Sequence, residues 1–224
     1  MPFIDRTDAG RQLADALASY KTKNPVVLAL PRGGVPVAAE IAKTLAAPLD
    51  LILVRKIGVP FQPELAMGAV VDGPAPVVVR NDDVITLSGV SENEFAAIRD
   101  RELAEIDRRR KTYLGNRPHP ELAARTVIVV DDGIATGATI RAALHAVRAR
   151  KPSRLVLAVP VAPTETLREL RAEADETVCL EDHENFGAIG FFYSDFRQVS
   201  DEEVIDLLAR HPIKQKNSLE TAAS

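Results

Sequence analysis

Two adjacent carboxylates, Asp131 and Asp132, stand directly ahead of a turn of small residues and hydroxyls in the run VIVVDDGIATGAT, residues 127–139. Beyond the turn, Ile140, Ala143, Leu144 and Val147 recur at helical spacing. Gly137, Ala138 and Thr139 therefore offer backbone N–H groups that no helical carbonyl satisfies. Those donors, the positive end of the helix dipole and the hydroxyls of Thr136 and Thr139 suit a phosphate. Two carboxylates would repel the same phosphate, yet they are good acceptors for a vicinal diol. The residues thus describe a bipolar ligand, hydroxyls at one end and phosphate at the other. The plainer reading is a strand-to-helix turn whose acids serve only as caps.

The elements that must hold these groups follow from apolar patterning. Val127 to Val130 form a short apolar, mostly β-branched run, which reads as a strand buried on both faces. Similar runs occur at Val26 to Leu30, Leu49 to Val54, Ala66 to Val71, Val77 to Val79, Leu155 to Val159 and Thr177 to Leu180. Helical patterns cover Asp8 to Tyr20, Val35 to Leu45, Thr164 to Glu173 and Asp201 to Ala209. The alternation predicts a single-domain α/β fold, a mostly parallel sheet with helices on both faces and ligands beyond the carboxyl ends of its strands.

The run VIVVDDGIATGAT resembles the phosphoribosyl diphosphate (PRPP) motif of type I phosphoribosyltransferases, in which apolar residues, two acids and a T-G-x-T-like turn follow one another. The resemblance spans about residues 26–161 and implies that fold, with a small hood over residues 182–196. It implies that Asp131 and Asp132 hold the ribose hydroxyls. Gly133, Ile134, Ala135, Thr136, Gly137, Ala138 and Thr139 would then surround the 5′-phosphate. The segment LPRGGVP, with Arg32, Gly33 and Gly34, matches the position of that family's pyrophosphate loop. Because that loop often carries a non-proline cis peptide, unusual backbone is expected between Arg32 and Val35. Arg55 and Lys56 resemble the stretch leading into the family's catalytic loop, where two cations would face the leaving group. Gly58 to Met67 would be a lid, shorter than the longest family lids and carrying Pro60 and Pro63.

The activity so implied is Mg²⁺-assisted transfer of a phosphoribosyl group from PRPP to a nitrogenous small-molecule acceptor, with release of pyrophosphate. Asp131 and Asp132, with Arg55 and Lys56, are its candidate catalytic groups. No direct metal ligand is assigned, although Asp131 and Asp132 could reach a Mg²⁺ through water. Ala135 stands where transferases for 6-oxopurines usually carry an aspartate, which resembles the adenine and orotate branches instead. The general base stays unassigned. In the hood, Phe186 is a candidate to stack on an acceptor and Asp195 to accept its hydrogen bonds, but the hood aromatics could equally plug the end of the core. Two other readings are a noncatalytic PRPP sensor and a hydrolase acting on the same ligand.

One further segment differs in character. Ser91 and Glu94 open a capping box, and a narrow stripe of Phe95, Ile98, Leu103 and Ile106 continues to about Leu114 among many charges. Such a helix lies across the sheet or packs on a second copy, so a homodimer is possible. Its basic end, Arg108 to Lys111, is either a phosphate patch or a solvated face offsetting the helix dipole, and the latter is the expectation.

Composition bounds the alternatives. With 224 residues, 46% apolar, the chain is long enough for one core. A net charge of −4 argues against nonspecific nucleic-acid binding. The letters contain neither a lysine-bearing phosphate loop nor a dinucleotide-binding glycine fingerprint. Cys179, the sole cysteine, excludes an internal disulfide and reads as a buried, inert thiol. No signal-peptide layout and no membrane-length apolar run are visible, so the expected location is cytoplasmic. The expected domain covers residues 1–211, with 212–224 a frayed polar tail.

Overall fold

The computed structural model describes residues 2–73 and 76–213; most of the expected tail, 214–224, lies outside the described residues. Asp5 accepts a hydrogen bond from the backbone N–H of Asp8 (2.8 Å) and starts helix α1 (Arg6–Ala16). The helix ends short of Tyr20 because the chain tightens into a 3-10 turn at Ala18–Thr22. Strand β1 (Pro25–Ala29), helix α2 (Gly34–Leu45) and strand β2 (Leu49–Leu51) follow. Then come the antiparallel strands β3 (Val54–Val59), β4 (Gln62–Val71) and β5 (Val77–Arg80), and the helices α3 (Asp82–Ser88) and α4 (Glu92–Leu114). The chain closes with β6 (Thr126–Val130), α5 (Ala138–Ala149), β7 (Arg154–Pro163), α6 (Thr164–Leu170), β8 (Glu176–His183) and α7 (Asp201–Ala209).

The main sheet has five parallel strands in the order β2-β1-β6-β7-β8. Strand β6 sits at its centre, with Val127 opposite Val26 on one side and Leu155 on the other. Successive side chains of a strand point to opposite faces, and this sheet has a core on each. Val27, Ile128, Val130 and Val156 pack with Leu13 of α1, Leu17 just after it and Ile41 of α2. Val26, Val127, Val129 and Leu157 pack with Ile140, Leu144 and Leu167 of α5 and α6. Each fully buried aliphatic side chain contributes about 1.5–3 kcal/mol. The double covering therefore makes the sheet a rigid base for whatever lies beyond its strand ends.

One expectation about the connections is corrected. The apolar run Leu49 to Val54 is not one strand: β2 stops at Leu51, and β3 starts at Val54 in the separate sheet β3-β4-β5. The expected lid, Gly58 to Met67, is largely the hairpin of β3 and β4, turning at Pro60 and Phe61. Phe61 at that turn is 73% exposed. Helix α4 carries the full capping box, Ser91 and Glu94 each accepting from the other's backbone N–H. Its stripe lies across the small sheet, with Phe95 and Ile106 in the same core as Ile57 and Met67. No helix among the described residues is long and apolar enough to cross a membrane.

Candidate active site

The carboxyl ends of β1 and β6 converge, and the two glycines after β1 explain how closely. A Cβ at Gly33 would overlap the Asp132 carboxylate, and one at Gly34 would lie 2.8 Å from the Val130 carbonyl oxygen. The Pro31–Gly34 turn thus rests directly on the acidic pair, an approach only glycine permits. The unusual backbone sits one step earlier than expected: the cis peptide joins Pro31 to Arg32, while Gly33 has helical torsions (φ −59°, ψ −37°). Arg32 is half-buried, 3.5 Å from Asp201 at the start of α7, and that carboxylate also accepts from the Tyr113 hydroxyl (2.6 Å).

Asp131 and Asp132 differ in their surroundings. Asp132 is buried, and its Oδ2 accepts from Arg6 Nε at 2.7 Å, with both side chains only 11% exposed. Asp131 is half-buried, its Oδ1 accepting from the Asp132 backbone N–H (2.9 Å). Burial pushes the Asp131 carboxyl well above the usual carboxylate range, and the neighbouring Asp132 charge adds to the rise. Burial also raises Asp132, but Arg6 opposes that rise.

The turn after the pair divides into two parts. Gly133 and Ile134 are buried, and the Ile134 N–H donates to the Val161 carbonyl (2.9 Å), so Ile134 plugs the core and has no N–H to offer a ligand. Ala135, Thr136, Ala138 and Thr139 are exposed. Gly137 between them takes a left-handed conformation (φ +75°) that turns the chain into α5 and leaves that helix's first N–H groups open.

The basic groups sort by strand alternation and helix face. Arg55 turns to α4, where Glu102 accepts from it at 2.8 Å, and lines a cleft of about 30 Å³ with Pro31, Thr139 and Arg109. Lys56, on the opposite face of β3, pairs with Glu64 across the hairpin (3.0 Å). The structure therefore joins Arg55, but not Lys56, to the cleft. The solvated face expected for Arg108 to Lys111 holds only in part. Arg108 and Lys111 are exposed, Arg109 reaches the cleft, and Arg110 turns to Asp72 (3.6 Å) and His119 (3.0 Å).

A larger open cavity of about 590 Å³ lies beside the turn, bounded by Ala135, Thr136, Thr164, Glu165, Arg168, Glu184 and Phe186. Phe186 is backed by Phe192 (ring centroids 4.9 Å), which stacks in turn on His183 (4.5 Å). The hood aromatics Tyr193, Phe192, Phe196 and Phe186 pack with Phe3 as a small core, and Phe186, at its edge, also lines the cavity. Asp195 is exposed, accepts from the Arg197 N–H (3.0 Å) and is not part of the cavity wall. Cys179 fits the inert reading, since burial pushes its thiol up to about 12.

Arg6 escapes the sequence reading as a site residue, and Arg109 belongs to the phosphate-patch alternative, which ranks below the solvated face. A cation at the first position of α1 opposes the helix dipole, and that local inconsistency is the one signal that marks Arg6. Among the described residues no cluster of three or more His, Cys, Asp or Glu side chains could hold a metal. The hard-oxygen pair Asp131 and Asp132 suits a Mg²⁺ held chiefly by ligand oxygens, as is usual for that ion.

A parallel sheet whose strand ends gather a paired acid, a glycine-paired turn with arginine and an open helix start defines an α/β domain of the phosphoribosyltransferase type. The family model described as phosphoribosyl transferase domain matches residues 6–196, and the chain belongs to that family. A Mycobacterium tuberculosis protein, provisionally named a phosphoribosyl transferase in strains CDC 1551 / Oshkosh and ATCC 25618 / H37Rv, is 48% identical over 208 residues. That match covers 93% of this chain and 46% of the relative, so the chain spans about half of that protein's length. The crystal structure of TT1426 from Thermus thermophilus superposes with a TM-score of 0.77 at 42% identity, covering 95% of this chain and all of the other.

Proposed function

We propose that this domain transfers a phosphoribosyl group from PRPP to a nitrogenous acceptor, releasing pyrophosphate. The observation that carries the reading is the convergence of the Pro31–Gly34 turn and the start of α5 on the Asp131–Asp132 pair. One ligand with a diphosphate, a vicinal diol and a second phosphate would meet all three groups at once. The carboxylates would accept from the ribose hydroxyls, and the first N–H groups of α5, with Thr136 and Thr139, would bind the 5′-phosphate. Arg32, Arg55 and Arg109 would stabilise the charge growing on the departing diphosphate. Mg²⁺, bound by diphosphate and ribose oxygens with Asp131 and Asp132 reached through water, would supply further neutralisation of that charge.

The cavity beside Ala135 and Thr136 is the acceptor site in this reading, with Phe186 as the stacking face. The wall includes Glu165 and Glu184 against one cation, Arg168, which favours an acceptor bearing N–H donors over one bearing a carboxylate. The test is pyrophosphate release from PRPP and Mg²⁺ with a panel of purines, pyrimidines and simpler nitrogen bases. Release that depends on one acceptor supports the transferase. PRPP loss without an acceptor points to a hydrolase, and binding without turnover points to a sensor. No binding of PRPP at all would refute the reading.

A further inference from the structure

The amino-terminal segment is fastened to the hood and to the acidic pair at once. Phe3 donates its N–H to the Phe192 carbonyl (2.8 Å) and accepts from Ser194 (2.7 Å), and Ile4 accepts from Asp195 (2.9 Å). These bonds bring Arg6 over the Phe196 ring, 3.9 Å from its centroid. From there its guanidinium bonds Asp132 Oδ2 (2.7 Å) through one nitrogen and the Arg197 carbonyl (2.8 Å) through another. The hood reaches the same aspartate from a second side, the Tyr193 hydroxyl donating to the Asp132 carbonyl oxygen (2.6 Å). A planar fork with fixed donors, stacked on an aromatic face, is held in one geometry to a degree that a lysine is not. Asp131, in contrast, is in no ion pair among the described residues, and its Oδ1 accepts from the Asp132 N–H (2.9 Å).

We propose that Arg6 is the positioning residue of the acidic pair. It clamps Asp132 against the Pro31–Gly34 turn and ties it to the hood, leaving Asp131 as the carboxylate turned toward a ligand. Two adjacent carboxylates in a crowded site do not ionise independently, because each charge raises the other's affinity for a proton. The groups facing Asp132 are Arg6 from α1, Asp131 on its own strand end, the Tyr193 hydroxyl from the hood, and uncharged backbone at Gly33. Arg6 is the only cation in that set. It therefore decides which member of the pair carries the charge, and the hood, by holding Arg6, helps to decide it too. The role of Arg6 in ligand binding rests on the transferase reading, whereas its effect on Asp132 does not.

Site-specific ¹³C titration of the two carboxyl groups in the ligand-free protein separates these claims. In the unmodified protein Asp132 should titrate below Asp131, and the reverse order overturns the proposal even if no variant folds. Arg6→Gln should raise the Asp132 midpoint by about one unit or more, the scale of an opposite charge within hydrogen-bond distance. Arg6→Lys should keep it near the original value. PRPP binding, measured by calorimetry, should weaken more at pH 6 than at pH 8 in Arg6→Gln, whereas a purely structural role predicts an equal loss at both. An unchanged Asp132 midpoint in Arg6→Gln also overturns the proposal. Failure of the unmodified protein to bind PRPP would count against the proposed function, and the titrations would still decide the role of Arg6.

Discussion

Adding one methyl group at Gly33 or at Gly34 should have opposite effects on binding and stability, although the positions are adjacent. At Gly33 the three heavy atoms nearest the new Cβ all belong to the Asp132 carboxylate, the far end of a side chain that must leave its Arg6 bond to make room. At Gly34 it meets main chain, the Val130 carbonyl oxygen at 2.8 Å and Asp131 Cα at 2.9 Å, which cannot move without displacing β6. Gly33→Ala should therefore lower stability by only about 0.5–2 kcal/mol, the loss of the charge-assisted Arg6–Asp132 bond (about 1.5–3 kcal/mol) less the gain of up to about 1 kcal/mol from alanine's propensity at helical torsions. A displaced Asp132 would also lose its hydrogen bond to a ribose hydroxyl, and a hydrogen bond to a charged group is worth about 1.5–3 kcal/mol, so PRPP affinity should fall about 10- to 150-fold. Gly34→Ala should instead lose about 1–3 kcal/mol to overpacking, a fall in Tm of roughly 2–4 °C per kcal/mol for a domain of this size. Thermal unfolding and calorimetric titration with PRPP read the two quantities separately. A Gly33→Ala protein that binds PRPP like the parent, or melts lower than Gly34→Ala, would refute the packing argument.

Asp131→Asn should raise the Tm of the ligand-free protein at neutral pH while removing PRPP binding. The sign follows from burial: a carboxyl whose pKa is raised on folding binds its proton more tightly in the folded state. Its contribution to stability is then lost as pH rises from the unfolded value toward the folded one. An uncharged amide avoids that loss, with a gain on the order of 1 kcal/mol. The gain should vanish below about pH 4, near the unfolded carboxyl value, which a pH series of melts checks. Phe186→Ala should raise the acceptor KM about 10-fold, as loss of aromatic stacking worth about 1–3 kcal/mol implies. Its PRPP affinity should stay unchanged because the ring lies on the cavity wall away from the acidic pair, and initial-rate kinetics would separate the two.

Strand β6 was legible because it is buried on both faces, so its residues need no alternation and form an unbroken apolar run. The same property hid the break at Ile52 and Leu53: both are buried, and nothing in their letters marks where one sheet ends and another begins. Helix α3 passed unread, although Asn81 caps it and Gly89 ends it in a left-handed turn, because only Ile85 of its residues is fully buried. In the site, residue types identified the acidic pair and the glycine turn, which act through local chain geometry. Ile134, Lys56 and Asp195 were less legible, because their directions depend on tertiary partners: the Val161 carbonyl, Glu64 across a hairpin and the Ile4 carbonyl. Arg6 lies 126 residues from the aspartate it bonds, a separation that no local pattern spans.

The hood bonds made by Phe3 and Ile4 bear on how the protein is made. Contacts between distant chain segments form late, because loop closure must precede any gain from them. During synthesis β6 and the glycine turn can pair as soon as residue 132 has emerged. Phe196 and the Arg197 carbonyl, which hold Arg6 in its place, come more than sixty residues later by the numbering. A growing chain can thus pair β1 with β6 before the residues that clamp Asp132 are all available. On the proposed function, the ligand site would mature after the scaffold, once the hood has closed over Phe3, Ile4 and Arg6.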